Sequence, residues 1–294
     1  MNFKTAAELL GLCEENACPI SEIMQERECS EGETTREQIR ARMLHSLEIM
    51  KESAGSALED PAESMGGLIG GEAKKLKDHE PGQTAVCGEI IKRGVAYAMG
   101  VLEVNARMGL IVAAPTAGAA GVLPGVLLTM QDEYGFTDEQ LADALFNAGA
   151  VGYLAMRNAT VAGAVGGCQA EIGVASAMAA SAAVELLGGT PLQCLDAAST
   201  VLMNMLGLVC DPVGGLVEYP CQNRNAAGVA NALTAAEMAL AGIRQLIPFD
   251  EMLAIMYKVG RSLPSELRET ALGGCAASAS ACSACRVAGS CSNS

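Results

Sequence analysis

Tryptophan is absent from this 294-residue sequence, and aromatic residues make up only 3% of it. A sheet-rich core draws on aromatic and β-branched side chains. The scarcity of aromatics argues for closely packed helices built from Ala, Gly, Leu, Val and Met, in a sequence whose apolar residues make up 50%. Histidine occurs only as His45 and His79. His45 lies in a charged helical pattern and His79 in the polar stretch Lys77-Asp78-His79, so neither stands out as a catalytic base. There is no basic run, and the net charge is −15. Phosphate contacts need clustered Lys and Arg, so nucleic acid is excluded as a partner. The first residues contain no apolar signal core, so export is not expected.

One apolar run needs a decision. Met108 to Met130 carries no charge and is long enough to span a bilayer. It contains Pro115 and Pro124, is mostly Ala and Gly, and lacks flanking Lys/Arg asymmetry or an aromatic belt. It is read as buried core, with no membrane association.

Twelve cysteines are spread along the chain. Without an export signal they point to reduced thiols in the cytoplasm, some of them metal ligands. The segment to about residue 80 is ordinarily charged, that from about 84 to 260 is nearly uncharged, and the end is rich in Cys, Ser and Ala. The expected division is a helical catalytic domain over residues 1–275 and a tail over 276–294. Helix starts are signalled by Thr34 with Glu37, by Thr137 with Gln140, and by Thr190-Pro191 with Gln193, the last heading a run to Cys210. Asn225 is the expected cap of a helix running to Arg244. Alternating strand patterns are scarce. The fold class is therefore all-α, a compact helical domain of small-residue-rich, closely packed helices with Gly-rich loops.

Four stretches carry the chemistry. They are Ser64-Met65-Gly66-Gly67, Pro115-Thr116-Ala117-Gly118, Gly166-Gly167-Cys168-Gln169-Ala170-Glu171, and Cys210-Asp211-Pro212-Val213-Gly214-Gly215 running on to Pro220-Cys221-Gln222-Asn223-Arg224-Asn225. Cys210 reads as a helix exit and Cys221 as a residue just before a helix start, so two thiols flank one short loop. Such spacing differs from the tight C-x-x-C runs of ferredoxins.

Taken in order, these motifs closely resemble the α subunit of the bacterial iron–sulfur L-serine dehydratases, over about residues 1–275. The resemblance implies a [4Fe–4S] cluster bound by Cys168, Cys210 and Cys221. Its fourth iron, left open, would act as a Lewis acid on the hydroxyl of L-serine, giving pyruvate and ammonia. It also implies a separate β subunit in a heterodimer or heterotetramer. In relatives that subunit bears a Ser-Ser-His-Thr type motif that this chain lacks, so the base is expected from the partner. Ser64, Thr116, Arg224 and Asn225 are the candidate catalytic and substrate-binding residues. Arg224 suits a carboxylate bidentately, and the Thr116-Ala117-Gly118 turn suits an anion through its N–H groups. In some relatives a cysteine near the C-terminus folds back onto the open iron, which makes Cys282, Cys285 and Cys291 candidates for that place.

Two other readings compete. A pyridoxal-phosphate deaminase would use Gly66 to Gly71 as a phosphate cradle and Lys74 or Lys92 as the Schiff-base lysine, although no pyridoxal-lysine motif surrounds either. A non-catalytic, electron-transfer iron–sulfur protein would use the same cysteines without an open iron.

Overall fold

The computed structural model describes residues 1–79 and 85–284. The described residues form thirteen α-helices: α1 (Ala6–Asn16), α2 (Ile20–Glu31), α3 (Arg36–Glu59), α4 (Glu72–Asp78), α5 (Gly88–Ala106), α6 (Val122–Tyr134), α7 (Asp138–Asn158), α8 (Gly163–Gly166), α9 (Val174–Leu186), α10 (Pro191–Asn204), α11 (Cys221–Leu240), α12 (Phe249–Ser262) and α13 (Ala279–Ala284). Among these residues there is no strand longer than a single parallel bridge between Cys210 and Arg268. The all-α expectation is met. No described helix is long and apolar enough to cross a membrane, and Val122 to Met130 of the uncharged run is buried in α6.

The core is organised around α9, whose sequence Val-Ala-Ser-Ala-Met-Ala-Ala-Ser-Ala-Ala-Val is buried from Val174 to Val184. A helix apolar on every side belongs inside a protein. Its small side chains let α6, α7, α10 and α11 all pack against it. The two serines find partners within the core: Ser176 Oγ donates to the Ile172 carbonyl at 2.7 Å and Ser181 Oγ to Asn147 Oδ1 at 2.6 Å. That satisfies polar atoms which burial would otherwise leave costly. A second layer, α3 and α5, lies against α6, α7 and α11.

Helix boundaries follow the capping rules with informative exceptions. Thr137 with Gln140 and Thr190 with Gln193 form reciprocal capping boxes as expected. At the head of α3 the box is Thr35 with Gln38, one residue beyond the expected Thr34 with Glu37. Both pairs fit the same motif. The run expected to continue to Cys210 stops at Asn204, and Cys210 lies in extended backbone. Asn225 does not cap α11: the helix begins four residues earlier, at Cys221, after Pro220. Thr190→Ala removes a side-chain acceptor from the Gln193 N–H. It is expected to lower stability by about 1 kcal/mol in urea denaturation.

Candidate metal and substrate site

The π-turn Gln169–Gly173 runs directly into α9, with Cys168 immediately before it. Cys221 is the first residue of α11. Two of the three candidate ligands therefore stand at helix N-termini, where the peptide dipoles favour negative charge. Gly167 makes the turn possible, with φ of 78° in a region that side-chain-bearing residues rarely enter. Cys210 arrives from the loop between α10 and α11. It is pinned there by its N–H to the Leu267 carbonyl (2.9 Å) and by the Glu269 N–H to its own carbonyl (2.6 Å). All three thiols are buried.

Cys168, Cys210 and Glu171 present ligand atoms that all lie within 4.8 Å of one another. Glu171 stands three residues after Cys168, on the same side of the helical turn. Its Oε1 accepts from Thr116 Oγ1 at 2.8 Å, and its Oε2 faces Cys210 Sγ at 3.6 Å. The room for this comes from Gly163, where a Cβ would fall 2.4 Å from Glu171 Oε2 and 2.9 Å from Cys210 Sγ.

The electrostatics divide the thiols. A hydrogen bond from Cys210, aided by the Arg224 guanidinium, holds the Cys168 thiol below its usual range despite burial. Cys210, which gives that hydrogen bond, is pushed well up, and burial adds to the rise. Burial raises the Cys221 thiol to about 12, with the neighbouring Cys168 and Glu171 adding to it. Burial also raises the Glu171 carboxyl, against the lowering effect of its bond from Thr116.

The other expected site residues have definite roles. Arg224 pairs with Asp211 Oδ1 at 2.6 Å and donates to the Val209 carbonyl at 2.9 Å, so its charge is shared between Asp211 and the thiol region. Asn225 is fully buried. Its side chain donates to the Gly118 carbonyl (2.8 Å) and the Cys221 carbonyl (2.9 Å) and accepts from the Gly121 N–H (3.0 Å). It clamps the Thr116–Gly118 turn to the start of α11. Ser64 donates to Glu218 Oε2 at 2.6 Å, and Glu218 also receives the N–H groups of Gly66 (2.7 Å) and Leu68 (3.1 Å). His45 is exposed beside Glu48, and His79 is exposed at the end of α4. Cys282 lies on α13, its Sγ 3.9 Å from the Ala276 carbonyl, while Cys285 and Cys291 lie outside the described residues.

Three carboxylates escaped the sequence reading: Glu171, Asp211 and Glu218. Each is an isolated acid in an otherwise nearly uncharged stretch, which is itself a signal, because a buried carboxylate must be paired or hydrogen-bonded. Glu103 is another. Buried in α5, it receives the N–H groups of Gly71 (2.9 Å) and Ala73 (2.8 Å) and the Gln222 amide (3.1 Å).

The Gly66–Gly71 loop is therefore already filled by the chain's own acids, Glu218 and Glu103, with Glu72 taking the Gly70 N–H at 2.6 Å. Phosphate would have to displace carboxylates there. Lys74 and Lys92 are ion-paired with Asp78 and Glu89. This geometry counts against the pyridoxal reading. A groove of about 650 Å3 between α3, α4 and α5 contains none of the thiols. Its cations Lys51, Lys77, Lys92 and Arg93 are all paired with acids.

Fold and site together define an all-helical protein with a buried thiol–carboxylate constellation that could hold a metal. The chain belongs to the serine dehydratase alpha chain family, whose sequence model matches residues 15–276. It is 47% identical over 275 residues to a probable L-serine dehydratase alpha chain of Bacillus subtilis, covering 94% of this chain and 91% of that one. It is 43% identical over 276 residues to the L-serine dehydratase alpha chain of Peptoniphilus asaccharolyticus, covering 94% of each. It is also 38% identical over 281 residues to an L-serine dehydratase of Streptomyces coelicolor, covering 93% of this chain but 60% of that longer protein.

Proposed function

We propose that this chain is the catalytic α chain of an L-serine dehydratase, a lyase converting L-serine to pyruvate and ammonia. Cys168, Cys210 and Cys221 hold a [4Fe–4S] cluster, and a separate β chain completes the enzyme. The observation that carries the reading is the meeting of the Cys168 and Cys210 thiols with Glu171 within 4.8 Å. Cys221, outside that group, is buried at the start of α11 where it feels the charge of Cys168, and Arg224 stands beside Cys168 to offset the thiolates. Thiolate donors are the ligands such a cluster takes. The relatives' names supply the substrate, and their designation as alpha chains supports a companion chain.

When bound, the cluster supplies a Lewis-acidic iron for the substrate hydroxyl at the position that three cysteines leave open. The chain's own residues do the rest of the positioning. The Thr116-Ala117-Gly118 turn receives the substrate carboxylate, held in place by Asn225. Arg224 tempers the negative charge of the thiolates and keeps Asp211 neutralised. Ser64 acts at one remove, locking the glycine loop onto Glu218. The surrounding Ala- and Gly-rich helices exclude water, which would otherwise compete for the metal and hydrolyse intermediates early. The α-proton is taken by a base from the β chain.

Residues 1–275 form the catalytic unit, and the tail from 276 onward is accessory to it. The ten described cysteines are all free, in keeping with a reducing, cytoplasmic setting.

The test is anaerobic reconstitution of the purified chain with iron and sulfide, alone and with its companion chain, followed by a pyruvate assay. Iron uptake by the single chain and pyruvate formation only with both chains are expected. Full turnover by the single chain would remove the β chain from the reaction, and a chain that takes up no iron would remove the cluster.

A further inference from the structure

L-serine is a zwitterion, and its ammonium needs an acceptor inside the site. Four buried or half-buried acidic side chains cluster around the thiols and the loops beside them, and they differ in what they have left to offer. Glu218 accepts from Ser64, Gly66 and Leu68. Glu103 accepts from Gly71, Ala73 and Gln222. Asp211 is held by Arg224 through Oδ1 and by the Cys275 N–H, at 2.5 Å, through Oδ2.

Glu171 is different. Its Oε1 is anchored by Thr116, but Oε2 has the Cys210 thiol at 3.6 Å. A thiolate ligand has no proton to donate. With Cys210 bound to metal, Oε2 faces a sulfur anion instead of a donor. A half-buried carboxylate oxygen in that position calls for a cation, and Arg224 is already committed to Asp211 and Val209.

We infer that Glu171 is the receptor for the substrate's α-ammonium, Oε2 accepting its N–H groups while Thr116 fixes Oε1. The absence of a side chain at Gly163 opens the space on the Oε2 side. Glu171 projects beside Cys168 and Cys210, so the ammonium it holds lies next to the carbon that loses its proton. The residue thereby selects amino acids over hydroxy acids of the same length. This rests on the serine dehydratase reading above.

The experiment uses the reconstituted two-chain enzyme under anaerobic conditions. Cluster EPR or visible absorption is followed while L-serine, or 3-hydroxypropanoate, is added. The second ligand keeps the carboxylate and hydroxyl but has no ammonium. In Glu171→Gln the iron content is expected to stay at the wild-type level. L-serine affinity is expected to fall about 10- to 100-fold, the range for a hydrogen bond to a charged group, and 3-hydroxypropanoate affinity to change less than about twofold. Equal weakening of both ligands, or no weakening of L-serine, overturns the assignment.

Loss of iron from Glu171→Gln also overturns it, unless Thr116→Val, which removes only the Oε1 anchor, weakens L-serine selectively. Glu269 is the exposed acid nearest in charge effect to Glu171. Selectivity lost in Glu269→Gln instead moves the role there and overturns the inference. A wild-type enzyme that makes no pyruvate and binds neither ligand defeats the serine reading itself, and that is seen before any variant is made.

Discussion

Replacing Cys168, Cys210 or Cys221 singly with alanine is expected to abolish cluster binding and to reduce pyruvate formation at least about a thousandfold. An open iron acting on the leaving hydroxyl supplies several kcal/mol of transition-state stabilisation, and each 1.4 kcal/mol is about tenfold in rate. The fold itself should survive. Each substitution removes only one sulfur atom from a short, buried side chain, a smaller loss than a Leu→Ala change in the same core. The measurements are iron and sulfide content, the broad absorption near ~400 nm typical of such clusters, and helicity by circular dichroism. Native helicity with no iron is the expected pattern. A variant that keeps its full iron content takes that residue out of the ligand set. The three positions are not equivalent in how they are held: Cys168 and Cys221 start helices, whereas Cys210 depends on its backbone bonds to Leu267 and Glu269. Disturbing the 265–269 segment should therefore loosen Cys210 before the other two.

The second large effect is expected at Arg224. Its guanidinium meets Asp211 with side-chain exposures of 15% and 2%, so this is a buried pair. Removing one partner of such a pair leaves an uncompensated charge and costs about 3–5 kcal/mol. Arg224→Met should fall near the lower end, because Asp211 keeps the N–H of Cys275. Adding Asp211→Asn to that variant should recover much of the loss in urea denaturation, which a simple packing defect would not allow. The sign of a further effect follows from Cys168. Arg224 helps hold that thiol below its usual range, so its removal raises the thiol's pKa. Cluster assembly in Arg224→Met should then require a higher pH than in wild type, measured as iron uptake against pH. An unchanged pH dependence would mean that the cation does not act on Cys168.

What could be read from the chain before folding was whatever a few neighbouring residues decide. The shortage of aromatic side chains and the lack of alternating strand patterns gave the helical class, and Thr137 with Gln140 and Thr190 with Gln193 marked helix starts within four residues. Where two local motifs overlapped, at Thr34 and Thr35, neighbouring sequence could not choose between them. The cysteines were recognised through the motifs around them. The helix-breaking Asp211-Pro212 placed Cys210 at a helix exit and the expected start near Asn225 placed Cys221 outside a helix; α10 in fact ends at Asn204 and α11 begins at Cys221.

The long-range contacts were a different matter. Glu171 meets Thr116 across 55 residues, Glu218 meets Ser64 across 154, and Asn225 meets Gly118 across 107. Composition and capping determined by themselves that this chain is a bundle of close-packed helices, because helix formation depends on residues three and four apart. Only the tertiary structure decided which carboxylate meets the thiols and which are spent on backbone N–H groups. Partnership is a property of segments brought together from distant parts of the chain: an isolated acid in an uncharged stretch signals that it needs a partner, not which one it finds.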